Sequence, residues 1–255
     1  MSVDRGKAVA ATANVRFVLV NTSHPGNIGS AARAIRTMGF TRLDLVAPQV
    51  FPHPEAYALA AGANDVLELA RRSANLNEAI ADCSLVLGAT ARSRGVALDE
   101  LTPRAAAVRA LDAASAGRQV ALVFGNERAG LSNDEIKLCH AAVHIPSDPA
   151  FSSLNLAQAV QVIAYELRVA VLAGDPSGPA HGEHEPATAA QLEGFFDHLA
   201  TTLDDIDFHK GRSARTILRR LRRLFLRAQP DPHEVRVLRG ILADVQRSAR
   251  LARDD

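Results

Sequence analysis

Short apolar, β-branched runs alternate along this chain with longer stretches whose apolar residues recur at steps of three and four. Arg16-Phe-Val-Leu-Val20, Leu43-Asp-Leu-Val46, Ser84-Leu-Val-Leu-Gly88, Gln119-Val-Ala-Leu-Val-Phe124 and the segment from Val143 to Ile145 read as buried strands. Ile28, Ala31, Ala32, Ile35 and Met38 share one helical face, and Gly39 is placed to end that helix. Tyr57 to Ala61 and Leu76 to Ala81 predict shorter helices, and Pro103 to Ala114 a longer one with proline in its first turn. Ser132 and Asp134 open another. Leu156, Val160, Ile163 and Leu167 lie on one face of a long helix running to Ala173. Strands alternating with helices in this way predict an α/β fold with a mainly parallel sheet over residues 1–173, behind a loose leader at 1–15.

The pattern changes at Gly174. Residues 174–188 are rich in Gly, Pro, Glu and His and read as a linker, which leaves 189–255 as a separate helical extension. Its helices are predicted from Gln191 to Leu203, Ser213 to Ala228 and Pro232 to about Ala249. In the middle one, Ile217, Leu218, Leu221, Leu224 and Phe225 form an apolar stripe. Arg212, Arg215, Arg219, Arg220, Arg222, Arg223 and Arg227 crowd the rest of its surface. Two readings of that face compete: a solvated surface paired with Asp204, Asp205 and Asp207, or a contact for nucleic-acid phosphates, favoured because the arginines outnumber the acids.

Composition narrows the picture only a little. A net charge of +1 gives no global signal for nucleic acid, so any such signal must come from the local arginine patch. Aromatic residues make up 4% of the chain, too few for a ladder of stacked bases, so binding would lean on phosphate and shape. Cys83 and Cys139 lie in apolar surroundings without ligand spacing, as buried reduced thiols of a soluble cytoplasmic protein would. No apolar run approaches a membrane span, and no metal site is expected. His181 and His184 with Glu183 and Glu185 sit in the linker, where no rigid element fixes them.

Candidate chemistry gathers at the carboxyl ends of strands, where open parallel sheets bind ligands. Polar turns leave Val20, Gly88, Phe124 and Ile145, the second of them as Ala89-Thr-Ala-Arg-Ser-Arg94. Taken alone, Ser152, Ser153 and Asn155 would be a helix cap. No G-x-G-x-x-G follows the first strand, and Gly125 and Gly130 have P-loop spacing without the P-loop lysine. No Ser-His-Asp signature or H-E-x-x-H zinc site appears. What does fit is a set of three motifs in order. Asn27-Ile-Gly-Ser-Ala-Ala-Arg33, Phe124-Gly-Asn-Glu-Arg-Ala-Gly130 and Ile145-Pro followed by Ser152-Ser-Leu-Asn155 resemble those of the SpoU branch of the SPOUT RNA methyltransferases. With Leu59-Ala-Ala-Gly-Ala, Val160-Gln-Val-Ile-Ala-Tyr-Glu and Leu221-Arg-Arg-Leu-Phe, the resemblance covers nearly the whole chain.

The resemblance implies S-adenosylmethionine-dependent methylation of a tRNA ribose 2′-hydroxyl, at cytidine or uridine of anticodon-loop position 32. It also implies a C-terminal trefoil knot and a homodimer with sites formed across its interface. By the family's usage, Ala89, Thr90, Ala91, Gly125, Ile145, Ser152, Ser153 and Leu154 would hold the cofactor, with Gly125 allowing close backbone approach. Asn27, Glu127 and Asn155 would orient loops or substrate, and Arg219, Arg222 and Arg223 would meet the RNA. The resemblance implies Arg33, the motif's arginine, as the first choice for the catalytic position, with Ser153 and Asn155 beside it. A guanidinium does not readily serve as a base, so Arg33 is expected to align the ribose or a phosphate. Proton removal then falls to water or to Ser153. Phe151 stands where the nearest subgroup usually carries tyrosine, so a role for that hydroxyl is absent here.

Overall fold

The computed structural model describes residues 11–91, 98–173, 185–211 and 213–254, which divide into two compact units, Met1–Ala180 and His181–Asp255. The break falls inside the linker read from composition. Most of the leader, Arg92 and Arg94 of the second turn, the His181 and His184 pair, and Arg212 lie outside the described residues.

In the first unit seven strands form one sheet: β1 Val15–Val20, β2 Arg42–Val46, β3 Arg71–Ser73, β4 Leu85–Ala89, β5 Asp99–Leu101, β6 Val120–Phe124 and β7 Ala141–Val143. Their order is β3-β2-β1-β6-β4-β7-β5, and every pair is parallel. The helices are α1 Pro25–Thr37, α2 Pro54–Ala60, α3 Asn64–Glu68, α4 Leu76–Ile80, α5 Pro103–Ser115, α6 Asn133–Ile136 and α7 Leu156–Ala173. Proline opens α1, α2 and α5, where a missing N–H and a fixed φ do no harm. All six residues of β1 are buried, as expected of a strand with both faces covered. Phe17 and Leu19 of β1, Leu122 and Phe124 of β6 and Leu85 and Leu87 of β4 join one core with Ile28 and Ile35 of α1 and Val160 and Ile163 of α7.

The expected elements are present with small shifts at their ends, and Ile145 lies beyond its strand. Two strands and α3 escape the sequence reading. β3 is Arg-Arg-Ser and β5 is Asp-Glu-Leu, edge strands whose side chains are mostly exposed and carry no apolar run. One expectation is corrected: α7 is long and apolar enough, by length and composition, to cross a membrane. Its Leu156, Val160, Ile163, Ala164 and Leu167 are instead buried in the core of the first unit. Cys83 and Cys139 are free and buried, and burial pushes both thiols up to about 12.

The second unit has α8 Ala189–Asp205, α9 Ala214–Ala228 and α10 Pro232–Asp254 around its own core of Leu192, Phe195, Phe196, Leu199, Leu226 and Val235. Thr188 starts α8 with a reciprocal cap to Gln191, which fixes where the linker ends. Ile217, Leu218, Leu221 and Phe225 of the predicted stripe pack on this core. Leu224 does not, being 47% exposed, and Leu226 takes the buried place.

Candidate active site

The three motifs sit at the carboxyl ends of β1 and β6 and in the segment after β7, and hydrogen bonds tie them together. α1 has no side-chain cap from its own N-cap residue, His24. Glu127, a hundred residues later, supplies the acceptor. Its carboxylate accepts from the Ser23 amide at 3.1 Å and hydroxyl at 2.8 Å, the His24 amide at 3.2 Å and Asn27 Nδ2 at 2.9 Å. Burial alone would raise the Glu127 pKa, but these donors outweigh it and bring it down to about 2. A carboxylate at the start of a helix is also favoured by the helix dipole. Asn27 passes the connection on: its Oδ1 accepts from Asn155 Nδ2 at 3.0 Å. Asn155 in turn caps α7, its Oδ1 accepting from the Ala157 amide at 2.9 Å. The three polar motif positions thus hold one another, and through one another they fix three loops.

Those loops enclose a cavity of about 400 Å³. Ala89, Thr90 and Ala91 line one side, Gly125 to Leu131 a second, and Ile145, Ser152, Ser153 and Leu154 a third. Every position assigned to the cofactor from the motifs lies on this one lining. Phe124, Asn126, Val143, Leu156 and Ala159 also line it without having been singled out. Phe124 and Asn126 belong to the second motif and the other three lie beside the motifs, so the turns marked the place though not its full extent. The volume and the mixture of apolar walls with exposed backbone are those of a small-molecule site.

Local geometry explains the shape. The turn after β6 closes on itself: Asn126 pairs with Gly130 in an antiparallel bridge, and Asn126 Oδ1 accepts from the Arg128 and Ala129 amides. A Cβ on Gly125 would lie 2.0 Å from the Gly130 carbonyl carbon and 2.1 Å from the Leu131 nitrogen. Gly125 allows a close backbone approach, and the backbone that comes close is the chain's own, at Gly130 and Leu131. The loop before α7 is also braced, with Ser147 Oγ donating to Ser152 O at 3.0 Å and the Phe151 amide to Asp148 O at 2.9 Å. His144, which no sequence signal marks, places Nδ1 3.2 Å from the Thr90 carbonyl, so it must donate there.

The side chains expected to act on substrate divide. Ser153 is exposed on the cavity lining, and among the described residues its hydroxyl makes no hydrogen bond. Arg33 is exposed on α1 and likewise without a partner, but it does not line the cavity. In the second unit Arg219 and Arg223 are exposed and, with Arg215, Arg220 and Arg227, make no ion pair among the described residues. Asp204 pairs with His209 and Asp205 accepts from Gln246, so these acids do not neutralise the arginine face. Arg222 differs from its neighbours. It pairs with Glu193 and lies 4.5 Å over the Phe196 ring, and burial brings its pKa down to about 10. Its charge serves the packing of α9 on α8.

Comparison with known proteins agrees with this geometry. Residues 14–165 match the SpoU rRNA Methylase family, and residues 190–254 match the tRNA methyltransferase TrmJ C-terminal domain. The chain is 49% identical to the tRNA (cytidine/uridine/adenosine-2′-O-)-methyltransferase TrmJ of Pseudomonas aeruginosa, over 92% of this chain and 95% of that one. It is also 49% identical to the tRNA (cytidine/uridine-2′-O-)-methyltransferase TrmJ of Salmonella typhimurium, over 91% and 96%. The crystal structure of TrmJ from Z. mobilis is similar with a TM-score of 0.77 at 37% identity, covering 91% of this chain and 98% of that one.

Proposed function

Because the chain belongs to the SpoU methylase family and resembles the TrmJ tRNA 2′-O-methyltransferases along nearly its whole length, we propose that it methylates a ribose 2′-hydroxyl of tRNA. The observation that carries this is the gathering of motif residues from three distant segments onto one cavity, with Ser153 unpaired on its wall. The cavity fits S-adenosylmethionine in size, and its apolar walls suit an adenine between exposed backbone edges. When bound, that cofactor supplies an electrophilic methyl group. Ala89 to Ala91 and Ser152 to Leu154, which line two sides of the cavity, would hold it together with the closed turn from Gly125 to Gly130.

Transfer to a hydroxyl is an in-line displacement, so positioning supplies most of the acceleration. The Glu127–Asn27–Asn155 chain keeps the loops in register before substrate arrives. Ser153 orients the ribose hydroxyl and assists loss of its proton to water. Arg33, exposed and off the cavity lining, aligns the ribose or its phosphate across the interface of a homodimer. The unpaired arginines of α9 hold the tRNA backbone. We further read the target as cytidine or uridine at position 32 and the working compartment as the cytoplasm. We read the placement of β7 between β4 and β5 as part of a trefoil-knotted crossing.

The test is transfer of labelled methyl from S-adenosylmethionine to unmodified tRNA transcripts, with the modified nucleotide mapped. Label on the ribose at position 32 is expected. Label at another nucleotide overturns the target, and no label on any tRNA overturns the function. Light scattering of the purified chain at twice the monomer mass is the expected result for the dimer.

A further inference from the structure

A second cavity, of about 730 Å³, adjoins the first and shares Ile145, Ser153 and Leu154 with it as a common wall. Its other sides are the start of α5 at Thr102 to Arg104 and the face of α7 that carries Gln158, Val162 and Glu166. Phe151 lines it, and the ring is 84% exposed, more than any other aromatic among the described residues. The loop does not need the ring for its shape, since Ser147, Asp148 and backbone groups brace it. Opposite, Arg104 reaches Glu166 at 3.3 Å while remaining 77% exposed.

We propose that this second cavity receives the base of the nucleotide being methylated, with the Phe151 ring as its stacking surface. The inference rests on the function proposed above and adds a site to it. A ribose hydroxyl presented to a methyl group in the first cavity has its base attached one sugar ring away. The shared wall of Ile145, Ser153 and Leu154 makes the second cavity the immediate neighbour of the first. Single-stranded RNA is commonly read by splaying a base from its stack onto an aromatic face. Gln158 and Thr102 offer donors and acceptors to a base edge, and Arg104 offers a cation to the adjoining phosphate. The lining is mainly apolar, with Thr102, Arg104 and Gln158 as polar groups among it, which suits a flat base that has apolar faces and a hydrogen-bonding edge. Phe151 thereby explains how a chain with few aromatics binds a flipped nucleotide with one ring.

The test uses the full chain and a tRNA transcript with a fluorescent cytidine analogue at the methylated nucleotide. Phe151→Leu keeps an apolar side chain and removes the stacking face. It should raise KM for tRNA about tenfold and abolish the quenching of the analogue seen with the wild-type chain. Calorimetric affinity for S-adenosylmethionine should stay the same, and Phe151→Tyr should recover most of the loss. Unchanged KM and quenching in Phe151→Leu would overturn the proposal while leaving the methyltransferase reading intact. Dissociation of Phe151→Leu to monomers would show that the ring covers a second copy instead, and would also overturn it. A wild-type chain that methylates no tRNA would bring down both readings together.

Discussion

With both Glu127 oxygens occupied by donors from Ser23, His24 and Asn27, protonating this carboxylate means breaking bonds between the turns after β1 and β6. Its folded pKa of about 2 lies below that of an unfolded glutamate, roughly 4.3. The group therefore contributes stability at neutral pH, fully present above about 4.5 and lost as pH falls toward 2. Thermal unfolding of wild type and Glu127→Gln should show it: the variant melts lower at pH 7, and the gap narrows by pH 3. Arg33 calls for a different measurement, because it does not line the cavity and makes no hydrogen bond or ion pair among the described residues. Arg33→Ala should lose about a hundredfold in turnover while calorimetric affinity for S-adenosylmethionine stays the same. Unchanged turnover would remove Arg33 from the mechanism. At this scale the motifs pointed to residues that share one cavity lining, but not to the contacts each of them makes. Gly125 stood out as a motif glycine, yet only the fold shows that Gly130 and Leu131 are what it makes room for. Arg222 looks like Arg219 and Arg223 until α8 presents Glu193 and Phe196 to it.

Among the elements, the buried strands and long helices were legible because apolar spacing and burial have the same cause. β3 and β5 were not, since an edge strand needs only backbone hydrogen bonds from its one neighbour. Nor does periodicity reveal where two helices must come very close. Gly29 of α1 is such a point: a Cβ there would lie 2.0 Å from the Ala56 carbonyl oxygen of α2, a backbone atom that cannot step aside. Gly29→Ala should destabilise the fold by about 3 kcal/mol or more, measured as a fall in denaturation midpoint without change in m-value. The strands conceal another surprise in Arg16, fully buried in β1 and reaching Asp82 at 2.8 and 2.5 Å, with Asp44 3.6 Å away. A charge in a strand core is tolerated only when so paired. Arg16→Met deprives Asp82 of its partner, but the Asp82 side chain is half exposed and Asp44 keeps Arg71 at 2.7 Å, so the variant should cost about 1–3 kcal/mol in the same experiment.

For the whole molecule, residues 174–188 stand out by their glycine, proline, glutamate and histidine, and the boundary between the two units falls among them. Each unit has its own core, so the 1–180 fragment should fold and bind S-adenosylmethionine by calorimetry while losing most of its affinity for tRNA. Replacing Arg219 and Arg223 with glutamate in the full chain should weaken tRNA binding and lower its dependence on salt by about one phosphate contact per arginine. A salt series by filter binding would show it, and an unchanged slope would exclude these two side chains from the interface. Strand order, by contrast, was nowhere in the sequence. β7 lies between β4 and β5 although β5 and β6 precede it in the chain. During synthesis, then, the sheet cannot grow by adding each new strand at its rim. A growing chain that has made β4, β5 and β6 still lacks the strand that belongs between the first two. The wall formed by Ile145 to Ala159 comes later still. The ribosome must therefore release almost the entire first unit before any ligand can help to hold it together, and until then the unfinished chain depends on whatever else in the cell keeps an open sheet from finding the wrong neighbour.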